Sequence, residues 1–110
     1  MTSAGLERRG HVRHALTCPV VVVGADGKEL FQSRTVNVSD GGMLLSAGKD
    51  PLEPGDGVHV NLRIPRQTAN TFMYEDFFSR AEVVRLEGDA GRAPAMGMKF
   101  PRPLELSLEV

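Results

Sequence analysis

The chain has 110 residues, of which 41% are hydrophobic and 25% charged, with 13 basic against 14 acidic side chains. This length suits one domain with a hydrophobic core of its own and is too short for two. The formal net charge of −1 excludes a polycation that holds nucleic acid or an anionic membrane by its field alone. Ten of the 13 basic residues are arginines, whose planar guanidinium donates forked hydrogen bonds.

A single cysteine, Cys18, excludes an internal disulfide and a cysteine-based zinc cluster, and it suits a reducing compartment. No apolar run reaches the roughly 18 residues that a membrane helix needs. Residues 1–10 are polar and lack the apolar stretch of a signal peptide. We therefore expect a soluble, cytoplasmic domain.

Twelve glycines and seven prolines divide the chain into short segments, a pattern typical of β-strands joined by tight turns. The fourth predicted strand shows this best, because apolar and polar side chains alternate strictly along it. A polar break at residues 65–70 follows it. The six predicted strands cover residues 16–23, 30–38, 42–47, 58–64, 77–86 and 95–100.

Six closely spaced strands predict an all-β fold, a small six-stranded antiparallel β-barrel, because closure removes the exposed edges of so few strands. Residues 104–110 form a tail with room for at most a short helix. The stretch from Phe72 to Phe78 is rich in aromatic side chains. We interpret these as packing on the barrel, and the alternative is an exposed patch for a partner or a second copy.

Signals of catalysis are weak. The sequence contains neither a phosphate-binding loop that ends in Lys-Ser/Thr nor a Gly-x-Ser-x-Gly nucleophile turn. The histidines, His11, His14 and His59, are scattered and lack a pattern of carboxylates, so they predict solvent-exposed side chains and not a metal site. Cys18 heads a valine run with no activating base nearby, which favours a small buried residue. We predict no catalytic residues, no metal and no enzyme.

Three arginines lie within six residues just before the first predicted strand: Arg8, Arg9 and Arg13. A solvated basic arm at a chain terminus is the simpler interpretation. The alternative is an anion clamp that becomes ordered on ligand binding, since guanidinium groups fork onto phosphate oxygens and guanine edges and stack on bases.

A second feature lies between two predicted strands, in the run Asn37-Val38-Ser39-Asp40-Gly41-Gly42. Asn, Ser and Gly are ordinary turn residues, because their side chains bond the nearby backbone or permit positive φ. The same small, polar residues let a flat ligand approach the backbone and offer short polar groups to a base edge or a phosphate.

Together the two features are specific. Arg9-x-x-x-Arg13 followed by Asn37-x-Ser39-x-x-Gly42 resembles the signature of the PilZ domain family, which is Arg-x-x-x-Arg and then Asp/Asn-x-Ser-x-x-Gly. The likeness continues in residues 19–23, similar to the family's first strand, and in residues 96–100, similar to its closing Gly-x-x-Phe strand. It covers residues 7–102.

The resemblance implies a six-stranded barrel that binds the bacterial second messenger cyclic di-GMP without catalysis. It implies that Arg9 and Arg13, on a mobile arm, contact phosphate and guanine, that Asn37 and Ser39 contact the second guanine, and that Gly42 keeps the turn tight. Arg8, immediately before the motif, tends in the family to accompany two stacked, intercalated ligand molecules. We therefore expect a dimeric ligand and no other cofactor.

This reading divides the chain into a switch arm (1–14), the barrel (15–103) and the tail (104–110), with ordering of the arm as the signal to a downstream protein in the bacterial cytoplasm. The first alternative is a ligand-blind PilZ-type adaptor, although such members usually lack one of the two motifs. A barrel for single-stranded nucleic acid would need a basic groove with interleaved aromatics, which the net charge argues against. The regulated process, the oligomeric state and the partner stay open.

Overall fold

A computed structural model describes residues 12–47, 52–88 and 94–108 of the chain. Every strand of this part pairs antiparallel with its neighbours. The strands are β1 (Pro19–Val23), β2 (Glu29–Ser39), β3 (Gly42–Ser46), β4 (Gly57–Gln67), β5 (Phe72–Glu87) and β6 (Ala95–Lys99).

The strands close into a barrel in the order β1-β2-β3-β6-β5-β4, and β1 closes the ring by pairing with β4. Alternate side chains of each strand point inward, as the pleat requires. Val20 and Val22 of β1, for example, are buried while Val21 and Val23 between them are not. Met43, Leu45, Leu62, Ile64, Met96 and Met98 complete much of the core. The all-β barrel expected from the sequence is confirmed.

The predicted polar break at residues 65–70 is wrong in its first half. β4 continues to Gln67 and β5 begins at Phe72, so that the two strands form one long ribbon with a turn between Thr68 and Thr71. Pro65 is tolerated within this ribbon because its backbone nitrogen lies on the side of β4 that faces away from β5, as the alternation of the ladder requires.

The aromatic stretch at residues 72–78 does not pack on the barrel as a whole. Phe77 contacts the core, but Phe72, Tyr74 and Phe78 on the outer side of β5 are exposed, as is Met73. Phe72, Tyr74 and Phe78 are exposed because the pleat turns them to the outer face, opposite to the buried Ala81 and Val83. Met73 shares the inner face and is exposed because the ribbon extends beyond the strands that flank it: β1 reaches only His59–Leu62 of β4, and β6 reaches only Glu82–Glu87 of β5.

The segment after β6 contains no helix within residues 100–108. It crosses the end of the barrel in an irregular conformation, and Leu106 is fully buried in the core. Arg66 of β4 donates to the carbonyl oxygens of Leu106 and Ser107. The expected tail is therefore packed against the barrel as far as residue 108. In the described parts of the chain there is no helix capable of crossing a membrane.

Candidate functional site

The two sequence motifs meet at one contact. Nη1 of Arg13 donates a hydrogen bond of 2.7 Å to Oδ1 of Asn37, across 24 residues of sequence. Arg13 is exposed and Asn37 is half-buried, and within the described residues this is the one side-chain hydrogen bond that Arg13 donates. The amide nitrogen of Asn37 is left to other acceptors.

Local backbone geometry explains why these two side chains meet. His14 forms an isolated bridge with Val38, in which each backbone N–H donates to the other residue's carbonyl oxygen at 2.8 and 2.9 Å. The β2–β3 register shifts between Thr35 and Asn37, and the extra residue, Val36, is exposed. Such a bulge re-aims the following side chain. It places Asn37 on the outer surface beside residues 13–14.

Ser39 is buried and its hydroxyl is occupied by the turn. Oγ accepts the backbone N–H groups of Gly41 and Gly42, each at 3.2 Å, and lies 3.3 Å from the carbonyl oxygen of Gly42. Ser39 is only 5% exposed. In this arrangement the serine shapes the β2–β3 turn from within.

Gly42 has a steric role in addition to the tight turn that the resemblance implies. It pairs with Lys99 of β6, and a Cβ built on Gly42 would collide with the carbonyl oxygen of Met98 and lie 3.2 Å from Cα of Lys99. Both obstacles are backbone atoms, which cannot rotate away. Glycine therefore permits the close approach of β3 to β6 beneath the site.

The outer surface next to Asn37 is formed by a row of cross-strand neighbours. Asn37 pairs with Leu44 of β3, Leu44 with Gly97 of β6, and Gly97 with Arg85 of β5. The guanidinium of Arg85 lies over Gly97, because a Cβ on that glycine would be 3.2 Å from it. The result is a shallow outer face with a small apolar centre, bordered by Arg13 at one end and Arg85 at the other.

Sequence reasoning missed this row, although a signal was present. Met96 and Met98 both face the core, so the pleat turns Gly97 and Lys99 outward. Applying the same alternation to β3 would have placed Leu44 outward between its buried neighbours Met43 and Leu45.

Asp40, at the tip of the same turn, holds the C-terminal segment. Its carbonyl oxygen accepts the N–H of Leu104 at 2.8 Å, and its Oδ1 accepts the N–H of Leu106 at 3.2 Å. The turn that carries Ser39 is thus joined to the segment that covers the end of the barrel.

Arg8 and Arg9 lie outside the described residues, so of the predicted site residues the structure places Arg13, Asn37, Ser39 and Gly42. All four belong to one region, centred on the end of β2. Within residues 12–47, 52–88 and 94–108, no cluster of His, Cys, Asp or Glu has the composition of a metal site.

Comparison with known structures places this architecture in context. The structure of the Bacillus subtilis inhibitor of motility (MotI/DgrA) is similar with a TM-score of 0.73 and 18% identity, over 89% of this chain and 44% of the other. The present chain therefore spans less than half the length of that protein. The PilZ domain with c-di-GMP of YcgR from Escherichia coli is similar with a TM-score of 0.54 and 16% identity, over 86% and 78% of the two chains. A search of curated protein sequences found no match.

The six antiparallel strands define a small all-β barrel domain. The sequence model of the PilZ domain matches residues 7–109, which is nearly the whole chain. The protein belongs to the PilZ domain family, as the two motifs indicated. No enzyme family is indicated by these comparisons.

Proposed function

We propose that the protein is a non-enzymatic receptor for cyclic di-GMP. The observation that carries the proposal is the hydrogen bond from Arg13 to Asn37, because it joins the two motifs of the family at one surface. In this proposal Arg8, Arg9 and Arg13 bind phosphate and guanine, and Asn37 presents its amide to a guanine edge. Such a receptor acts in the bacterial cytoplasm, where its ligand is made.

The chemistry of the outer face supports a flat, anionic ligand. The guanidinium of Arg13 carries several N–H donors in a planar fork, which suits a phosphate or the O6/N7 edge of guanine. The half-buried side chain of Leu44 offers a small apolar surface beside Asn37, and the guanidinium of Arg85 lies next to it over Gly97. A dianion requires few aimed donors and no large positive field, which agrees with the net charge of −1.

Ser39 and Gly42 contribute to this site by holding its backbone in place. The Ser39 hydroxyl holds the turn through Gly41 and Gly42, and a direct bond from it to a base would require one of these contacts to give way. We therefore assign Ser39 the role of fixing the direction of Asn37, and Gly42 that of seating β3 against β6.

Signalling in this proposal proceeds through the arm. Ligand contacts by the arginines offset the conformational entropy lost when the arm becomes ordered. The docked arm then offers a partner protein a surface that the free receptor lacks.

Isothermal titration with cyclic di-GMP tests the proposal. We expect a micromolar or tighter dissociation constant, and we expect Arg13→Ala to weaken it by roughly 10- to 150-fold, because losing a charge-assisted forked contact costs about 1.5–3 kcal/mol. Arg80→Ala, which removes an exposed arginine of β5 away from the site, is the matched control. Absence of binding by the folded wild-type protein would refute the receptor and favour a ligand-blind adaptor.

The same titration reports stoichiometry. We expect two ligand molecules per chain, stacked on each other, and we expect Arg8→Ala to reduce the number bound toward one. A wild-type stoichiometry of one would overturn the dimeric ligand while leaving the receptor proposal in place.

A further inference from the structure

The β4–β5 ribbon has a free edge. β5 pairs with β4 along Phe72–Glu82, but β6 joins its other side only from Glu82 onward. Within the described residues, no strand pairs with that side of residues 72–81. An unpaired strand edge of this length is a template for pairing with another strand.

The backbone groups on this edge can be identified from the ladder. The N–H of Val83 donates to Asp56 and its carbonyl oxygen accepts from Gly55, so Val83 points its backbone groups toward the β4 side. Because these directions alternate along a strand, Phe72, Tyr74, Asp76 and Phe78 point theirs to the free edge.

The side chains of the same residues lie on the outer face of the ribbon, and three of the four are aromatic, which is unusual for an exposed strand. Phe78 is 73% exposed and Phe72 is 56% exposed. Phe72 packs edge-to-face on Tyr74 with ring centroids 5.3 Å apart. Residues 72–81 contain neither lysine nor proline, the residues that commonly protect a free edge from pairing.

Charge on the ribbon is balanced within the ribbon itself. Arg63 binds Asp76 and Arg66 binds Glu75, each through Nε at 2.9 Å. Arg63 also lies over the Tyr74 ring, 4.9 Å from its centroid. The surface therefore does not select a strongly charged partner, and two identical surfaces can meet without leaving a net charge between them.

We propose that the free edge of β5 pairs antiparallel with the same edge of a second copy of this chain, about a two-fold axis at Glu75. In this register Phe72 faces Phe78 of the second copy and Tyr74 faces Asp76, and the second half of the interface repeats both pairs. All four edge residues then form ladder hydrogen bonds. Aromatic cross-strand pairs stabilise such a sheet.

Pairing with a second copy is favoured over pairing with an unrelated strand, because the residues on the two sides of the axis match each other. The axis at Glu75 matches aromatic with aromatic on both sides, which an unrelated strand would need to reproduce. Glu75 then faces its symmetry mate, and Arg66 of each copy offsets their repulsion. Because the contact uses one strand edge and the face beside it, the interface is of the small, transient class, and we expect a dissociation constant on the order of tens of micromolar.

Sedimentation velocity over a concentration series tests the dimer, without added ligand so that its outcome is independent of cyclic di-GMP binding. We expect Phe78→Ser to raise the dissociation constant by roughly tenfold or more, since the two-fold axis removes two ring pairs at once. Val84→Ser removes an exposed apolar side chain of the same strand, beyond the free edge, and is expected to dimerise like the wild type. A wild type that stays monomeric, or a dimer that Phe78→Ser leaves intact, would overturn the proposal.

Cysteine cross-linking tests the register in a ribbon that is otherwise unchanged. Facing residues in a non-hydrogen-bonded pair have Cα atoms about 4.5 Å apart, within the range of a disulfide. Under mild oxidation we expect Glu75→Cys to form a disulfide-linked dimer and Glu82→Cys to remain monomeric. Cys18 is buried, so we expect it to form no disulfide between two chains. Equal cross-linking of both variants, or of neither, would contradict the pairing.

Discussion

Replacing Gly42 by alanine separates a steric role of the motif glycine from a ligand-binding one. The new methyl group would collide with the carbonyl oxygen of Met98 and press on Cα of Lys99. Neither atom can move without shifting β6 relative to β3. The five residues of β3 pair with β6 along their whole length, so the displacement disturbs a ladder that closes the barrel.

We expect the free energy of unfolding to fall by about 2–3 kcal/mol, the upper part of the range for overpacking, because the clash is with backbone. For a domain of this size that corresponds to a Tm lower by roughly 10 °C. Urea and thermal unfolding followed by circular dichroism measure both quantities.

Gly57→Ala is the matched control. A Cβ at Gly57, the first residue of β4, meets no atom within 4 Å, so we expect its stability to stay within about 0.5 kcal/mol of the wild type. The steric reasoning would be refuted if Gly42→Ala unfolded at the same temperature and urea concentration as Gly57→Ala. Loss of cyclic di-GMP binding by a fully stable Gly42→Ala protein would instead assign the glycine to ligand contact.

Three further predictions concern buried polar groups. Thr35→Val should lower the free energy of unfolding by about 1–3 kcal/mol, because the Thr35 hydroxyl accepts the N–H of Cys18 at 2.8 Å and donates to the carbonyl oxygen of Leu16 at 2.6 Å; a urea curve that matches the wild type would contradict this. Burial raises the pKa of the Cys18 thiol above its ordinary value of 9.0, an effect that the Thr35 hydrogen bond partly offsets. The unfolded chain therefore loses this proton first, and stability should fall as the pH rises above about 9, a dependence that Cys18→Ala should reduce in urea unfolding at pH 8 and pH 10. Asn61→Leu should raise the Tm, since Oδ1 of Asn61 is buried without a partner in the described structure and an unsatisfied acceptor costs about 1–3 kcal/mol; an unchanged or lower Tm would contradict this.

Much of the fold could be predicted because the pattern of single strands is local. The alternation in residues 58–64 and the Gly/Pro turns place most strand ends within three residues, whereas β5 begins at Phe72, five residues before its predicted start. The extension of β4 past Pro65 could not be predicted in this way. It depends on which side of the strand the proline nitrogen faces, a property of strand pairing and not of the proline itself. Exposure of Met73, which shares the inner face with Phe77, likewise follows from where β1 and β6 stop, which no local pattern encodes.

The candidate site, like the fold, could be predicted from the sequence only in part. The motif spacing predicts that Arg13 and Asn37 share a site, and the structure brings the two side chains into hydrogen-bond contact, while their role in ligand binding stays a prediction. The resemblance implies that Ser39 contacts a guanine, and in the structure its hydroxyl bonds the turn. That outcome depends on the backbone positions of Gly41 and Gly42. The steric need at Gly42 arises from Met98, 56 positions along the chain, and so lies beyond any reading of the turn alone.

The burial of Leu106 in the core of the barrel affects the order in which the chain folds during synthesis. β6 lies between β3 and β5. Asp40 accepts hydrogen bonds from the N–H groups of Leu104 and Leu106, which lie much later in the chain. A ribosome that has released only β1 to β5 therefore presents an open sheet with Met43 and Leu45 uncovered. Contacts between such distant parts of a chain form slowly. The barrel closes only after β6 leaves the exit tunnel, because β6 supplies the pairing between β3 and β5, and apolar surface exposed before closure favours aggregation.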